Sequence, residues 1–169
     1  MPDPAEGSPS TGLPADPARV IEAAVARGLT IATAESLTGG AVCAALVEVP
    51  GASAAVRGGV VSYHRDVKVA LLGVDPERLA SHGAVDPEVA AQMAAGARTA
   101  TGADIAVATT GVAGPEPHDG QPVGTVWIGT ASAAGENAVL HRFAGDRDRI
   151  RGAARDAALS ALLDVVTTR

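Results

Sequence analysis

The chain contains one lysine, Lys68, and twelve arginines, so a single side-chain amine stands apart from the other basic groups. Arginine cannot act as a base in a protein, because its pKa stays above about 12. A lysine amine can act as a base when burial and neighbouring charges lower its pKa. The composition therefore allows a chemical role for Lys68 without favouring it. It leaves open the alternative that one lysine persists on the surface by chance.

A serine that such a base could activate lies in the segment AESLTGG, residues 34–40. Ser36 follows a predicted strand and precedes a predicted helix, where free backbone N–H groups can bind a phosphate or an oxyanion. A serine hydroxyl is a weak nucleophile until a base takes its proton, and a desolvated lysine amine can be that base. In the alternative interpretation Ser36 or Thr38 only caps the helix, and Gly39 and Gly40 only form a tight turn.

Two further segments follow predicted strands. Residues 63–68 hold the only lysine and the only tyrosine, Tyr63. Tyr63 either orients the lysine amine or stacks on a ring of the ligand. In the alternative interpretation it is an ordinary half-buried aromatic residue. Residues 109–115 contain Gly111 and Gly114, which expose N–H groups and allow close approach of a ligand. The alternative is a plain turn, but a long loop after a buried strand is more often functional. Ligands sit at the carboxyl ends of strands in open α/β sheets, so we expect these segments to meet there.

A fourth segment, GDRDRIR at residues 145–151, opens the last predicted helix. Arginines at a helix N-terminus oppose the helix dipole, which favours a functional reason such as holding a phosphate. The alternative is a solvated face in which Asp146 caps the helix and aspartates pair with the arginines.

The elements that must position these segments alternate between strand and helix. Residues 1–16 are rich in Pro, Gly, Ser and Asp and predict a disordered tail, followed by one folded domain over 17–169. Strands are predicted at residues 29–34, 58–63, 104–109, 124–131 and 138–143. Three helices are predicted to begin directly after Asp16, Asp75 and Asp86. Three more are predicted: one that follows the 34–40 segment and ends at about residue 48, one over 67–72 and one over 146–166. This order predicts an α/β fold with a mostly parallel mixed sheet, covered on both faces, and an antiparallel hairpin at its edge.

Composition argues against several classes of function. The net charge of −6 disfavours direct nucleic-acid binding, which needs a basic face. No apolar stretch reaches the ~18–20 residues of a membrane span, and no secretory signal is present, so we expect a cytoplasmic protein without a membrane partner. Cys43 is the only cysteine and is expected to be a small buried hydrophobe, and the four scattered histidines indicate no metal site. Alanine-rich helices are compatible with a homo-oligomer.

Taken together, the segments resemble the C-terminal domain of the CinA family, whose stand-alone members are nicotinamide-nucleotide amidases. The motifs that carry the resemblance run in order over roughly residues 18–166: AESLTGG, VPGAS, GGVVSY followed by Lys68, LLGV, HGAV, GADIAVATTGVAGP, PVGTVWIG and GDRDRIR. The family fold is a three-layer α/β/α sandwich, which agrees with the predicted order of strands and helices.

The resemblance implies hydrolysis of the amide of nicotinamide mononucleotide to the acid and ammonia, by a serine reaction without metal or cofactor. It gives Ser36 as the nucleophile and Lys68 as the base, with Tyr63 in the same site. The residues expected to contact substrate are Glu35, Thr38, Gly39, Gly40, Thr110, Gly111, Ala113, Gly114 and, for the phosphate, Arg147 ahead of Arg149 and Arg151. Two other functions stay open: a nucleotide-binding module without chemistry, and an interaction protein in DNA uptake or damage response.

The chain departs from the family pattern at three places. Leu37 follows the serine where the family often has cysteine, so no cysteine is needed there. His64 and Arg65 stand where the family commonly has a small residue and asparagine, and residues 115–120 differ from the usual glycine-rich loop. Because His64 and Arg65 lie beside the predicted site, we expect them to affect substrate preference.

Overall fold

A central sheet with helices on both faces forms the core of the chain. The computed structural model describes residues 16–168. Its helices are α1 (Pro17–Ala26), α2 (Ala41–Val47), α3 (Arg65–Leu72), α4 (Pro76–His82), α5 (Pro87–Thr101) and α6 (Arg147–Thr168). Its strands are β1 (Ile31–Glu35), β2 (Val56–Val61), β3 (Ile105–Gly111), β4 (Thr125–Ser132) and β5 (Gly135–Arg142). The predicted tail lies outside the described residues, except for Asp16.

The strand order within residues 16–168 is β2-β1-β3-β4-β5. β1 pairs in parallel with both β2 and β3, whereas β4 runs antiparallel to both β3 and β5. Four of the five described strands therefore point the same way and β4 alone is reversed. The predicted α/β fold, with its mostly parallel mixed sheet and antiparallel edge hairpin, is confirmed.

Alternation along the buried strands divides the core into two layers. On β3, Ile105 and Val107 face the layer formed by α1, α2 and α6, while Ala106 and Ala108 face α3, α4 and α5. The second layer is built largely from alanine, so α5 approaches the sheet closely. At Gly129 of β4 an added Cβ atom would lie 2.2 Å from the Ala90 carbonyl oxygen, which explains why a glycine is required there.

The helix starts follow the predicted cap chemistry. The carboxylates of Asp16, Asp75 and Asp86 each accept a hydrogen bond from a backbone N–H in the first turn of the helix that follows. Proline occupies the first position of each of these helices, where its missing N–H costs nothing.

Two strands are longer than predicted, because antiparallel pairing extends them. β5 begins at Gly135, since a two-residue turn lets Ser132 pair with Gly135. β3 continues through Thr110 and Gly111, which pair with Trp127 and Val126. Both residues therefore belong to the end of a strand, although the sequence predicts a loop from residue 110 onward.

No helix within residues 16–168 is long and apolar enough to cross a membrane. The assignment of residues 17–169 to one domain, the cytoplasmic location and the homo-oligomer stay predictions.

Candidate active site

Ser36 and Lys68 form a buried hydrogen-bonded pair. Ser36 comes directly after β1, and Lys68 lies in α3, in the crossover that follows the neighbouring strand β2. The Lys68 Nζ lies 3.0 Å from the Ser36 Oγ and also donates to the Ser62 carbonyl oxygen. Lys68 is 1% exposed, and the Ser36 N–H is fixed by the Thr109 carbonyl at 3.0 Å. The structure thus brings the predicted nucleophile and the predicted base into contact.

The surroundings of Lys68 lower the pKa of its amine. Burial, followed by the positive charge of Arg65, lowers the pKa of Lys68 from 10.5 to about 8, and the Asp119 carboxylate acts in the opposite direction. With this pKa about one tenth of the amines are neutral at pH 7, against far fewer for an exposed lysine. The amine is therefore able to accept a proton near physiological pH.

Glu35 has a structural place that the sequence does not predict. Its carboxylate is 1% exposed and accepts hydrogen bonds from the N–H groups of Gly40 at 2.9 Å, Val42 at 3.0 Å and Cys43 at 2.8 Å. The donors at the start of α2 are thereby taken by a side chain of the protein itself. Glu35 is directed at the helix start rather than at a ligand.

Of the turn after Ser36, Leu37 lines the cavity, whereas Thr38, Gly39 and Gly40 are not among the lining residues. The Thr38 hydroxyl is fully buried and bonds to the Thr109 hydroxyl at 2.8 Å. Gly39 and Gly40 adopt positive φ angles of 61° and 100°, which a tight turn requires. In place of the predicted substrate contact, Glu35, Thr38, Gly39 and Gly40 build the turn that carries Ser36.

The end of β3 and the loop after it contribute one wall of the cavity. Thr110, Gly111, Ala113 and Gly114, for which the resemblance implies substrate contact, all line it. The Thr110 hydroxyl, however, donates to the Ala84 carbonyl at 2.7 Å, so it holds the segment between α4 and α5.

Three residues on the cavity have backbone N–H groups without an acceptor in the described part of the chain. Among residues 16–168, none accepts a hydrogen bond from the N–H groups of Leu37, Ala113 and Gly114. All three residues line the cavity. Backbone N–H groups of this kind are the usual donors to an oxyanion.

Tyr63 and Arg147 form a second polar pair on the cavity. Arg147 donates to the Tyr63 hydroxyl at 3.1 Å and to the Gly114 carbonyl at 2.8 Å. Tyr63 is 63% exposed, and its hydroxyl meets Arg147 rather than the Lys68 amine. Tyr63 therefore shares the cavity with the Ser36–Lys68 pair without orienting the amine directly.

The three arginines at the start of α6 have different places. Arg147 lines the cavity, whereas Arg151 donates to the carbonyl oxygens of Leu37 at 2.9 Å and Thr38 at 3.2 Å and so supports the turn. Arg149 lies outside the cavity lining, and its N–H is accepted by the Asp146 carboxylate at 2.9 Å. Arg147 is therefore the arginine of this segment that is placed to meet a ligand.

Asp119 contacts residues that line the cavity, and the sequence does not predict this role. Its carboxylate bonds to the Arg65 guanidinium and accepts the Ala84 N–H at 2.6 Å. The one signal in the sequence is that both Arg65 and the 115–120 loop depart from the family pattern.

The cavity has a volume of about 480 Å³, within the range of small-molecule sites. Ser36 and Lys68 line it together with Tyr63, Arg147 and the residues of the 110–118 segment. Residues 16–168 hold no group of three or more His, Cys, Asp or Glu side chains that could bind a metal ion. The cavity thus combines a serine hydroxyl, a buried amine, backbone N–H groups without an acceptor among the described residues and two arginines, Arg65 and Arg147, in a single space.

The sequence and the fold of this chain both match those of known proteins. Residues 16–166 match the model of the CinA C-terminal domain. The chain is 38% identical to a CinA-superfamily crystal structure from Klebsiella pneumoniae 700603, with a TM-score of 0.86 over 90% of this chain and 96% of that one. A CinA-superfamily structure from Escherichia coli gives a TM-score of 0.87 at 30% identity, covering 96% and 95%. The chain belongs to the CinA C-terminal domain family.

Relatives of two lengths match the chain. It is 54% identical over 127 residues to a CinA-like protein of Frankia casuarinae, a match that covers 75% of this chain and 29% of that protein. The chain thus spans about a third of the length of the CinA-like and competence-damage relatives that it matches. It is 44% identical over 146 residues to the nicotinamide-nucleotide amidohydrolase PncC of Escherichia coli K12, covering 85% of this chain and 88% of that protein.

Proposed function

We propose that the chain hydrolyses the carboxamide of nicotinamide mononucleotide, giving nicotinic acid mononucleotide and ammonia. The observation that carries this proposal is the contact between the Lys68 Nζ and the Ser36 Oγ at 3.0 Å inside a cavity. The likeness to the Escherichia coli amidohydrolase over most of both chains supports the choice of substrate.

The reaction begins with the neutral amine of Lys68 taking the proton of the Ser36 hydroxyl. The Ser62 carbonyl holds one N–H of the amine, which leaves its lone pair to face the hydroxyl. The Ser36 Oγ then attacks the amide carbon, and a tetrahedral intermediate forms with negative charge on the former carbonyl oxygen.

The N–H groups of Leu37, Ala113 and Gly114 are the donors that we assign to this oxyanion. They line the cavity and have no acceptor among residues 16–168. One donor of this kind typically contributes about 3–4 kcal/mol to the stability of the transition state.

Collapse of the intermediate breaks the carbon–nitrogen bond. The Lys68 ammonium returns its proton to the leaving nitrogen, so ammonia departs and an ester of Ser36 remains. Water, deprotonated by the same amine, attacks this ester, and the proton held by Lys68 goes back to the Ser36 oxygen as the carboxylic acid leaves. The cycle therefore uses only groups of this chain and needs neither metal nor cofactor.

The ribose phosphate supplies binding energy away from the reacting bond. Arg147 carries a fixed positive charge on the cavity and is held by the Tyr63 hydroxyl and the Gly114 carbonyl. A charge-assisted hydrogen bond from this guanidinium to the phosphate would orient the amide toward Ser36.

The proposal is tested by incubating the protein with nicotinamide mononucleotide in the presence of a metal chelator, and measuring both ammonia and the acid product. We expect equal amounts of both from the wild type, and none from Ser36→Ala. A wild-type protein that binds the nucleotide in calorimetry but releases no ammonia would favour the nucleotide-binding module. Release that stops when the chelator is added would contradict the metal-free mechanism.

A further inference from the structure

The Asp119 carboxylate joins three segments that are far apart in the sequence. It lies in the loop between β3 and β4, bonds to the guanidinium of Arg65 at the start of α3, and accepts the N–H of Ala84 between α4 and α5. The side chain of Asp119 is 9% exposed, whereas that of its partner Arg65 is 44% exposed. A carboxylate so nearly enclosed is stabilised by these charged and backbone donors.

The backbone around this carboxylate is shaped to receive it. Asp119 has a φ of 51° and is the only non-glycine residue within 16–168 with a positive φ. Gly83 faces it with a φ of 80°, and an added Cβ atom at Gly83 would lie 2.6 Å from the Asp119 side chain. Two uncommon backbone conformations therefore meet at one side chain, and the hydrogen bonds of its carboxylate offset their cost.

All three joined segments border the cavity. Arg65, Ala84 and His118 line it, and Arg65 is one helical turn before Lys68 in α3. The charges of the pair act on the Lys68 amine in opposite directions, because Arg65 lowers its pKa and Asp119 raises it. Asp119 is not itself among the lining residues; besides Arg65 and Lys68, the charged and titratable side chains that line the cavity are Tyr63, His64, Glu116, His118 and Arg147.

We propose that Arg65 and Asp119 are positioning residues whose ion pair fixes the 115–120 loop as a wall of the cavity and balances the charge that faces Lys68. The proposal deepens the amidase assignment and rests on it for its kinetic consequences. Arg65 and Asp119 both lie where the chain departs from the family pattern, so the two departures act as one unit.

The experiment uses the fact that Lys68 is the only lysine of the chain. Protein labelled with carbon-13 at the lysine ε position, carrying a lysine-free tag, gives one signal whose pH titration reports Lys68 directly. We expect Arg65→Gln to raise the titration midpoint and Asp119→Asn to lower it, each by about half a unit. The double variant is expected to fall between the two.

An ion pair remote from the cavity provides the matched control. Arg155 and Asp156 on α6 form a pair at 2.8 Å, and neither lines the cavity. The variants Arg155→Gln and Asp156→Asn are expected to leave the Lys68 midpoint where it is. Midpoints that stay fixed in both test variants, or move in the same direction, would overturn the proposal. If Asp119→Asn does not fold, the direction of the shift in Arg65→Gln decides alone.

Steady-state kinetics are the second part of the experiment. With the loop released, KM for the nucleotide is expected to rise by about 10-fold in Asp119→Asn, because a charged hydrogen bond that holds the wall is lost. An unchanged KM in that variant would contradict the role of the pair in holding the wall. If the wild type releases no ammonia the amidase assignment fails, yet the titration of Lys68 still decides whether the pair balances its charge.

Discussion

The Lys68 Nζ lies 3.0 Å from the Ser36 Oγ although the two residues are 32 positions apart in the chain. The register between β1 and β2 produces this contact, because Glu35 pairs with Val61 and the Ser62 N–H then donates to the Glu35 carbonyl at 2.8 Å. Ser36 and Ser62 thus leave the sheet side by side, and the α3 crossover returns Lys68 to the same place. The geometry of the pair is therefore a property of the parallel sheet.

Replacing Lys68 by arginine keeps a positive charge and removes the base. We expect kcat for nicotinamide mononucleotide to fall by about 10²- to 10⁴-fold, the usual contribution of a positioned general base. The measurement is steady-state release of ammonia. Thermal unfolding of the same sample checks that the larger guanidinium has not disrupted the fold. Normal turnover by this variant would show that Lys68 is not the base.

The pH dependence of kcat/KM follows from the need for a neutral amine. Because the pKa of Lys68 is lowered to about 8, kcat/KM is expected to rise tenfold per pH unit below pH 8 and to level off above it. Rates measured from pH 6 to 9.5 in one salt concentration test this. An acid limb centred near pH 6.5 would instead indicate a histidine, of which His64 and His118 line the cavity.

The same shift predicts how stability varies with pH. The folded chain loses the Lys68 proton near pH 8, whereas the unfolded chain keeps it to about 10.5, so unfolded molecules bind more protons in this window. The free energy of unfolding should therefore rise with pH from 8 to 10.5, by up to about 3 kcal/mol relative to Lys68→Met, which lacks the amine. Urea unfolding of both proteins at pH 7.5 and 10 measures the difference. A constant gap would mean that the folded chain keeps the Lys68 proton as long as the unfolded chain does, so that folding does not lower the pKa of Lys68.

The sequence predicts the parts of the site that local chemistry dictates. Asp16, Asp75 and Asp86 each precede a proline, a pattern that marks a helix start wherever it occurs. The segments that hold Ser36 and Lys68 follow apolar strands, and carboxyl ends of parallel strands meet at one edge of a sheet. The fold and the proximity of Ser36 and Lys68 are therefore predictable from the sequence.

The direction in which individual side chains point is not predictable from the sequence in this way. Glu35 and Ser36 are adjacent in one motif, yet only Ser36 lines the cavity, because Glu35 is the last residue of β1 and turns toward the start of α2. Asp119 is 54 positions from Arg65, so its pairing depends on how two loops meet. Such contacts follow from tertiary packing, which periodicity and motif spacing do not encode.

Glu35 is predicted to stabilise the turn between β1 and α2 that carries Ser36. Glu35→Gln keeps the shape of the side chain, but its amide group places a donor where the carboxylate accepts N–H groups from Gly40, Val42 and Cys43. We expect a loss of roughly 2–4 kcal/mol in the free energy of unfolding and a fall in kcat that exceeds the change in KM. Chemical unfolding and steady-state kinetics measure the two effects.

The control for this prediction is Glu48→Gln, at the exposed end of α2. Glu35→Gln and Glu48→Gln each remove one negative charge beside α2, but Glu48 lies at the opposite end of the helix and is exposed. We expect Glu48→Gln to change stability by less than about 0.5 kcal/mol. If Glu35→Gln raised KM and left both kcat and stability unchanged, Glu35 would be a substrate contact after all.

Arg147 is predicted to recognise the phosphate of the substrate. Arg147→Gln keeps a hydrogen-bonding side chain and removes the charge, so KM for nicotinamide mononucleotide should rise by about 10- to 100-fold with a smaller change in kcat. The preference of the wild type for the nucleotide over nicotinamide riboside, which lacks the phosphate, should shrink by the same factor. Parallel kinetics with both compounds measure this.

Arg149→Gln is the matched control, because Arg149 is two residues further along α6 and lies outside the cavity lining. It removes the same charge from the same helix end, so any effect of net charge on binding appears in both variants. We expect Arg149→Gln to retain the wild-type KM and the wild-type preference for the nucleotide. Equal losses in the two variants would assign the effect to the general field of the helix end and would contradict a direct contact between Arg147 and the phosphate.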